Sequence, residues 1–219
     1  MMAESRLFSY WRSSASYRVR IALNWKGVDA TIIPVNLRRG EQRTAAFREV
    51  NPSCLVPVFE SDGVRLTQSL AIIEYLEEIR PVPPLLPGSP LTRAAIRELA
   101  LDVAADIHPI GNLRVLDKMR AEFEADAAAL ASWNRYWIGE GFAAIEARLT
   151  RCAGRFAFGD GPTLADVCLV PQAYNARRFE LDLGPFPRIV AADAAARGLP
   201  AFASAAPENQ VDAQRQNSL

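Results

Sequence analysis

The sequence predicts a small α/β domain with a mixed sheet, followed by an all-α domain. Three observations carry this reading. Over residues 1–80, short apolar or β-branched runs alternate with amphipathic segments in the order βαβ, then ββα. Residues 81–90 then hold Pro81, Pro83, Pro84, Pro87 and Pro90, a density that no helix or central strand survives. Residues 91–219 read as helix throughout. The expected organisation is therefore a sheet domain at 1–80, a proline-rich linker at 81–90 and a helical domain at 91–219.

Each element has its own signal. Leu7-Phe8-Ser9-Tyr10 is a short run suited to a buried strand. Ser13, Ser14 and Ser16 supply helix-start chemistry, because a serine oxygen accepts from free backbone N–H groups. Val19, Ile21, Ala22, Leu23 and Trp25 continue that helix, and Gly27 ends it. Thr31–Val35 is β-branched and reads as a second strand, followed by a polar, Arg-rich stretch with a short helix near Thr44–Glu49. After the turn signal Asn51-Pro52, Leu55–Phe59 and Val64–Leu66 flank Ser61-Asp62-Gly63, a hairpin turn. Gln68-Ser69 opens a helix with Leu70, Ile73 and Leu76 on one face. In the second half, Thr92 is expected to cap a helix from Arg93 that His108-Pro109 kinks or ends. Glu122 to Leu149 is Ala-rich and helical, Thr163-Leu164-Ala165-Asp166 is a capping-box variant, and the polar residues from Glu208 are expected to fray.

Composition excludes several functions. Lys plus Arg and Asp plus Glu are 25 each, so there is no global electrostatic case for nucleic acid or an anionic membrane. With His108 as the sole histidine, a multi-histidine metal site is impossible, and Cys54, Cys152 and Cys168 are too far apart for paired zinc ligation. No metal is expected. Three scattered cysteines also fit a reducing cytosol better than a secreted disulfide framework. No apolar run approaches the roughly 18–20 residues that span a bilayer, and the Arg-bearing N-terminus lacks a signal-peptide core. A cytoplasmic protein is expected.

Three sites carry possible chemistry. Arg12–Arg18 sets serines at a strand-to-helix junction, where capping is the ordinary role. A helix N-terminus also stabilises anions, through free N–H donors and roughly half a positive charge. A thiolate there would have a lowered pKa. The segment has no cysteine, so the thiol would have to come from a cofactor. At Val56-Pro57, the proline can simply mark an edge, or a cis bond can turn the Val56 backbone outward toward an extended peptide. At Gln68-Ser69, capping again competes with capture of a carboxylate.

Together and in order, these segments resemble the zeta class of glutathione transferases, the maleylacetoacetate isomerase family. The resemblance rests on Tyr10–Leu23, Asn51-Pro52, Val56-Pro57 and Gln68–Glu78 in the first half. In the second half it rests on Asp106–Ile110, Asn112–Leu116, Gly159-Asp160, Thr163–Asp166, Leu169–Gln172 and Asn175–Phe179. It spans about Arg6 to Phe202. The double serine before Arg-Val-Arg-Ile-Ala-Leu separates this class from those that use an N-terminal tyrosine. The resemblance implies a thioredoxin-like N-terminal domain, a helical C-terminal domain and a homodimer, with glutathione as cofactor and a small acidic substrate. The implied reaction is isomerisation of maleylacetoacetate to fumarylacetoacetate in tyrosine catabolism. Maleylpyruvate isomerisation, a conjugating or dehalogenating transferase, and a non-catalytic binding module of the same fold are the alternatives.

By the same resemblance, Ser13 and Ser14 lie beside the glutathione sulfur. Val56 supplies backbone pairing next to a cis Pro57, Gln68 and Ser69 hold the γ-glutamyl carboxylate, and Gln42 contacts the peptide. Arg12, Arg114 and Arg178 match positions linked to the acidic substrate, and His108 matches a histidine near the site. Ala15 departs from the pattern, since many members carry cysteine there. A solitary histidine is more often structural than catalytic, so His108 is open between the two. Arg177 and Arg178 can both be a solvated face, and only one is expected to be functional. Tyr17, Trp25 and Trp137 are expected to pack, the cysteines to be inert, and Asp166 to cap rather than to act as a base.

Overall fold

In the computed structural model, which describes residues 5–214, strand β1 (Arg6–Ser9) leads through a tight turn into helix α1 (Ser14–Lys26). Tyr10, read as strand, stands in that turn, where its carbonyl accepts from the Ser13 N–H at 2.9 Å. Ser13 is the N-cap: its backbone is extended and its Oγ accepts from the Ser16 N–H at 3.2 Å. Gly27 closes the helix at φ 60°, the left-handed conformation that a β-carbon disfavours. Strand β2 (Thr31–Pro34) returns parallel to β1, with Leu7 opposite Ile32. Two short turns and α2 (Ala45–Val50), capped by Thr44, lead to β3 (Val58–Ser61) and β4 (Val64–Thr67). The hairpin turns at Asp62 and Gly63, both at positive φ, as the primed turns of tight hairpins require. The sheet order is β2-β1-β3-β4, with β3 antiparallel to both its neighbours. This is the thioredoxin-like arrangement that the resemblance implied.

Helix α3 (Ser69–Ile79) packs against α1. Leu7, Val19, Ile21, Phe59, Ile72, Ile73 and Leu76 are buried together in this unit. Each contributes about 1.5–3 kcal/mol of transfer free energy. Lys26, with its side chain out of solvent, is held by Glu77 of α3 and donates to the Pro83 carbonyl at 2.6 Å. A buried ammonium is tolerated only with partners of this kind.

The second unit, Leu85–Gly198, is helical. α4 (Pro90–Leu101) is capped by Ser89, not by Thr92. Proline at the first helical position costs nothing, so the helix starts three residues earlier than expected, and the Thr92 N–H donates to Ser89 Oγ. α4 passes into a π-type turn at Asp102–Ile107, closed by a bond from the His108 N–H to the Val103 carbonyl five residues back. α5 (Leu113–Phe123) and α6 (Ala127–Cys152) follow, with Asp126 capping α6. The single helix expected from Glu122 to Leu149 is thus broken after Phe123 and restarted by that aspartate. α7 (Leu164–Arg178) is the most buried element, with every residue from Leu164 to Ala173 out of solvent. Its start is fixed by Asp166, which accepts from the Thr163 and Ala157 N–H groups, each at 2.8 Å. α8 (Pro187–Arg197) completes the unit.

The remaining residues do not belong to the helical unit. α9 (Pro200–Ala205) packs on α1, and a short turn at Pro207–Asn209 leads to α10 (Val211–Gln214). The first unit therefore joins the chain up to Pro84 with the chain from Leu199 onward, whereas the sequence placed all of 91–219 in one helical domain. The expected fraying from Glu208 is also corrected: Gln210, Asp212 and Ala213 are buried, and Ala213 enters a core cluster with Tyr10, Trp11, Val56 and Val58. Residues 215–219, the rest of that expectation, lie outside the described residues.

Candidate active site

The first unit gathers Arg12, Ser13, Ser14, Gln42, Val56, Pro57, Gln68 and Ser69 on segments that share one framework. The turn before α1 follows from the cap: Ser13 Oγ accepts from Ser16, which leaves the hydroxyl proton available to donate. Ser14 is the first residue of the helix and is buried. Ser16, fully buried, carries an Oγ with no hydrogen-bond partner. Three hydroxyls thus cluster at the positive end of one helix dipole, and no cysteine is among them. Arg12 lays its guanidinium 4.2 Å over the Trp11 ring, and its Nε is buried with no partner. A donor so placed suits an incoming oxyanion.

Val56 and Pro57 stand just before β3, joined by a cis peptide bond, as the resemblance implied. Val56 shares the core cluster of Tyr10 and Trp11, which ties this loop to the one bearing the serines. Gln42 is buried on the short turn at Glu41–Arg43. Its Nε2 donates to the Leu37 carbonyl at 3.5 Å, and its Oε1 has no partner. An orphaned amide oxygen is the acceptor that a peptide N–H satisfies. Gln68 precedes α3 at φ 67° and ψ 115°, a conformation that costs a non-glycine residue on the order of 1–3 kcal/mol. It makes no side-chain cap, so its strain is not explained by helix initiation. Ser69 is buried and its Oγ accepts from Arg18 Nη1 at 3.3 Å.

Arg18 was missed in the sequence. It is 1% exposed, in mid-helix, where a charged residue ordinarily faces water. The signal that could have found it is the Arg18-Val19-Arg20 pattern itself, since residues two apart on an otherwise apolar helix cannot both be placed on a narrow solvated face.

In the second unit, α6 contacts the residues that follow His108 and Arg178 in the chain. Trp133 Nε1 donates to the Ile110 carbonyl at 3.1 Å, and Arg135 Nη1 to the Phe179 carbonyl at 3.2 Å. Asn134 presses on Gly111, where a β-carbon would lie 2.4 Å from its Oδ1. Consecutive residues of one helix therefore hold both segments. His108 is half-buried at the exit of the π-type turn. Arg114 is exposed on the first turn of α5. Arg178 is exposed at the end of α7, its guanidinium 4.6 Å over the Phe179 ring. Arg177 differs: its Nη2 lies 2.5 Å from Oδ2 of Asp193, a fully buried carboxylate that Arg197 also contacts at 3.1 Å. The two exposed arginines thus differ in that Arg177 is paired with a buried carboxylate, whereas Arg178 stacks on an aromatic ring.

Asp166 is 1% exposed, and burial pushes its carboxyl above the usual range against the hydrogen bonds that lower it. Its oxygens accept from the Ala157 N–H and from the N–H and hydroxyl of Thr163, at the start of α7 and in the preceding loop, which is a cap's geometry. Tyr17 is buried, and Trp137 stacks edge-on to Trp133 and Tyr136, so both pack as expected. Cys152 is half-buried, and burial raises its thiol above the ordinary value, the opposite of activation. Among the described residues no cluster of His, Cys, Asp and Glu could hold a metal, and no helix is long and apolar enough to cross a membrane.

Comparison with known proteins converges on one family. Residues 12–79 match the glutathione S-transferase N-terminal domain. The chain is 50% identical over 209 residues to a probable maleylacetoacetate isomerase of Vibrio cholerae serotype O1, covering 94% of this chain and 97% of that protein. It is 49% identical over 209 residues to a maleylpyruvate isomerase of a Ralstonia species, covering 94% and 99%. Among solved structures, a zeta-class bacterial maleylpyruvate isomerase in holo form superposes with a TM-score of 0.93 at 49% identity, covering 94% of this chain and 99% of that one. A maleylacetoacetate isomerase of Anaeromyxobacter dehalogenans 2CP-1 with glutathione bound in its active site superposes at 0.87 and 44% identity, covering 96% and 98%. With identity sustained across both units, this chain belongs to the zeta-class glutathione transferases, the family of the maleylacetoacetate and maleylpyruvate isomerases.

Proposed function

We propose that this protein is a glutathione-dependent cis–trans isomerase that converts maleylacetoacetate to fumarylacetoacetate. The observation that carries the reading is the helix start at Ser13–Ser16: an anion-stabilising site built of hydroxyls, with no protein thiol. Glutathione fits the residues of the first unit. Gln42 offers a buried, unpartnered amide oxygen, Val56 stands beside a cis proline outside the β3 ladder, and Ser69, buried, is the first residue of α3. When bound, glutathione supplies the thiolate that adds to the conjugated cis double bond, making it a rotatable single bond, and leaves again once the trans geometry is reached.

The chain's own residues have three tasks. Ser13 and Ser14, at the N-terminus of α1, donate to the sulfur and favour its ionised form. Gln68, Ser69 and Gln42 hold the peptide's carboxylate and amide groups. Arg12, Arg114 and Arg178 bind the substrate's carboxylates and the charge that develops on its carbonyl oxygen, for which a planar guanidinium fork is suited. His108 assists near the same groups. The protein carries no net charge, so this attraction has to be local.

Maleylpyruvate is the second substrate reading, favoured by a Ralstonia relative that matches almost as well as the Vibrio one. A homodimer and a cytoplasmic location belong to the same proposal, and light scattering tests the dimer. The deciding experiment is turnover of maleylacetoacetate against maleylpyruvate, each with and without catalytic glutathione. Turnover by dialysed, glutathione-free enzyme overturns the mechanism. Binding of glutathione with no turnover of either acid would leave only a binding module.

A further inference from the structure

Arg20 is 3% exposed, yet its guanidinium is surrounded by acceptors. Nε donates to the Ala205 carbonyl at 3.0 Å, Nη1 to Ser9 Oγ at 3.1 Å and to the Tyr10 carbonyl at 3.4 Å, and Nη2 to the Trp11 carbonyl at 3.0 Å. Burial draws the guanidinium down to about 10, with Asp212, Tyr17 and Glu208 opposing that fall, so it stays charged at neutral pH. Asp212, on α10, accepts from the Trp11 N–H through Oδ2 at 2.9 Å. The Trp11 residue is therefore gripped at both ends of its backbone, its N–H by the carboxylate and its C=O by the guanidinium. Tyr10 is held as well, since its carbonyl also receives the Ser13 N–H. Ala213, beside Asp212, packs into the cluster that contains Tyr10, Trp11 and Val56. Asn24 adds a second tie between α1 and α9, donating to the Ala201 carbonyl and to Ser204 Oγ, each at 3.0 Å.

We propose that Arg20 and Asp212 are positioning residues: they clamp the Tyr10–Ser13 turn from the side of α9 and α10, and so fix the direction in which Ser13 and Ser14 present their hydroxyls. The inference rests on the functional reading above, because it concerns the same serines. Its physical basis is that a hydroxyl donor works only within a few tenths of an ångström of its acceptor, and the turn's one internal backbone bond, from the Ser13 N–H to the Tyr10 carbonyl, leaves Trp11 to be held from outside. Two charged side chains do so here by bonding to the turn's backbone carbonyls and N–H, and charge-assisted bonds are the stronger kind.

The test uses the full-length enzyme with Asp212→Ala and Asp212→Asn. A loosened catalytic turn costs up to about 10²-fold in rate. Asp212→Ala is expected to lower kcat by about 10- to 100-fold on that scale, and to raise the pH at which bound glutathione ionises, read by ultraviolet absorbance of the thiolate. The KM for glutathione should stay close to wild type, because the peptide contacts lie elsewhere. Asp212→Asn keeps an oxygen for the Trp11 N–H and should recover most of the loss. A folded Asp212→Ala enzyme with unchanged thiol ionisation and unchanged kcat overturns the proposal. Should Asp212→Ala fail to fold, hydrogen exchange of the Trp11 amide in wild-type enzyme decides: strong protection supports the clamp, and exchange at the rate of an open loop overturns it. If wild-type enzyme shows neither an ionised bound thiol nor turnover, the functional reading has failed, and this proposal falls with it.

Discussion

Arg177 and Arg178 are adjacent in sequence, and the structure gives them opposite consequences when each is cut to alanine. Arg177 contacts Oδ2 of Asp193 at 2.5 Å, and that carboxylate is fully buried on α8. Breaking a buried ion pair by removing one partner costs about 3–5 kcal/mol when nothing else compensates. Here Arg197 remains 3.1 Å from the same oxygen, and the Arg177 side chain is itself 38% exposed, so solvent screens part of the interaction. The working magnitude is therefore about 1–3 kcal/mol of stability. At about 2–4 °C per kcal/mol for a chain of this size, a mid-range loss lowers the Tm by about 4–8 °C. Arg177→Ala should leave kcat/KM nearly unchanged below its melting range. Arg178→Ala removes a stacking contact with Phe179 at an exposed site and should lower the Tm less than Arg177→Ala does, while losing about 2–4 kcal/mol in kcat/KM for the acidic substrate. Differential scanning fluorimetry beside steady-state kinetics on both variants reads the two axes at once. An Arg177→Ala enzyme with wild-type Tm and damaged kcat/KM would refute the division of roles.

Three other outcomes follow from particular contacts. Ser13→Ala should raise the ionisation pH of bound glutathione and lower the rate by about 10²–10³-fold, less if Ser14 and the helix N–H groups carry more of the charge, while equilibrium dialysis still finds glutathione bound. Glu60, bonded by Arg65 and Arg6 across the sheet, has its carboxyl held below the ordinary range. Its folded pKa is depressed, so its contribution is present above the unfolded value and is lost as pH falls through the folded one. Acid melts of Glu60→Gln should accordingly show a shallower stability loss below the ordinary carboxylate range than wild type, and an identical acid limb would contradict this. Gly141→Ala should destabilise despite alanine's better helix propensity, worth about 1 kcal/mol, because the new β-carbon would sit 2.2 Å from Ile107 Cδ1, and overpacking costs about 1–3 kcal/mol. A raised Tm would show that Ile107 can swing clear.

The elements of the first unit were legible because they depend on local chemistry. Ser13 marks a boundary through its side-chain cap, Gly27 and Asp62-Gly63 through backbone conformations that few residues adopt, and the structure puts the boundaries there. Thr92 carries a cap's oxygen, but Ser89-Pro90, three residues earlier, has both the oxygen and the proline, and the helix starts there. The break between α5 and α6 was hidden because Ala-rich sequence on either side of Asp126 has helical propensity throughout. Long-range features left no local trace. α8 starts without a side-chain cap of its own, and Glu146 of α6 accepts from its first N–H groups at 3.0 Å instead. Nothing in the neighbourhood of Pro187 announces a carboxylate more than forty residues away. The contacts of Arg20 and Asp212 leave no local trace for the same reason, since one lies on a helix whose signal is its apolar residues and the other in a polar tail.

The joining of Leu199–Gln214 to the first unit gives the molecule an order of manufacture. A ribosome makes the strands, α1 and α3 early, but the groove on α1 that receives α9 stays unfilled until all of Leu85–Gly198 has been translated. At about 5–20 residues per second that interval is on the order of ten seconds. During it Arg20 lacks the Ala205 carbonyl and Trp11 lacks Asp212. The nascent chain therefore carries a nearly complete sheet unit whose Tyr10–Ser13 turn is unlatched. The helical unit has time to fold before the latch arrives.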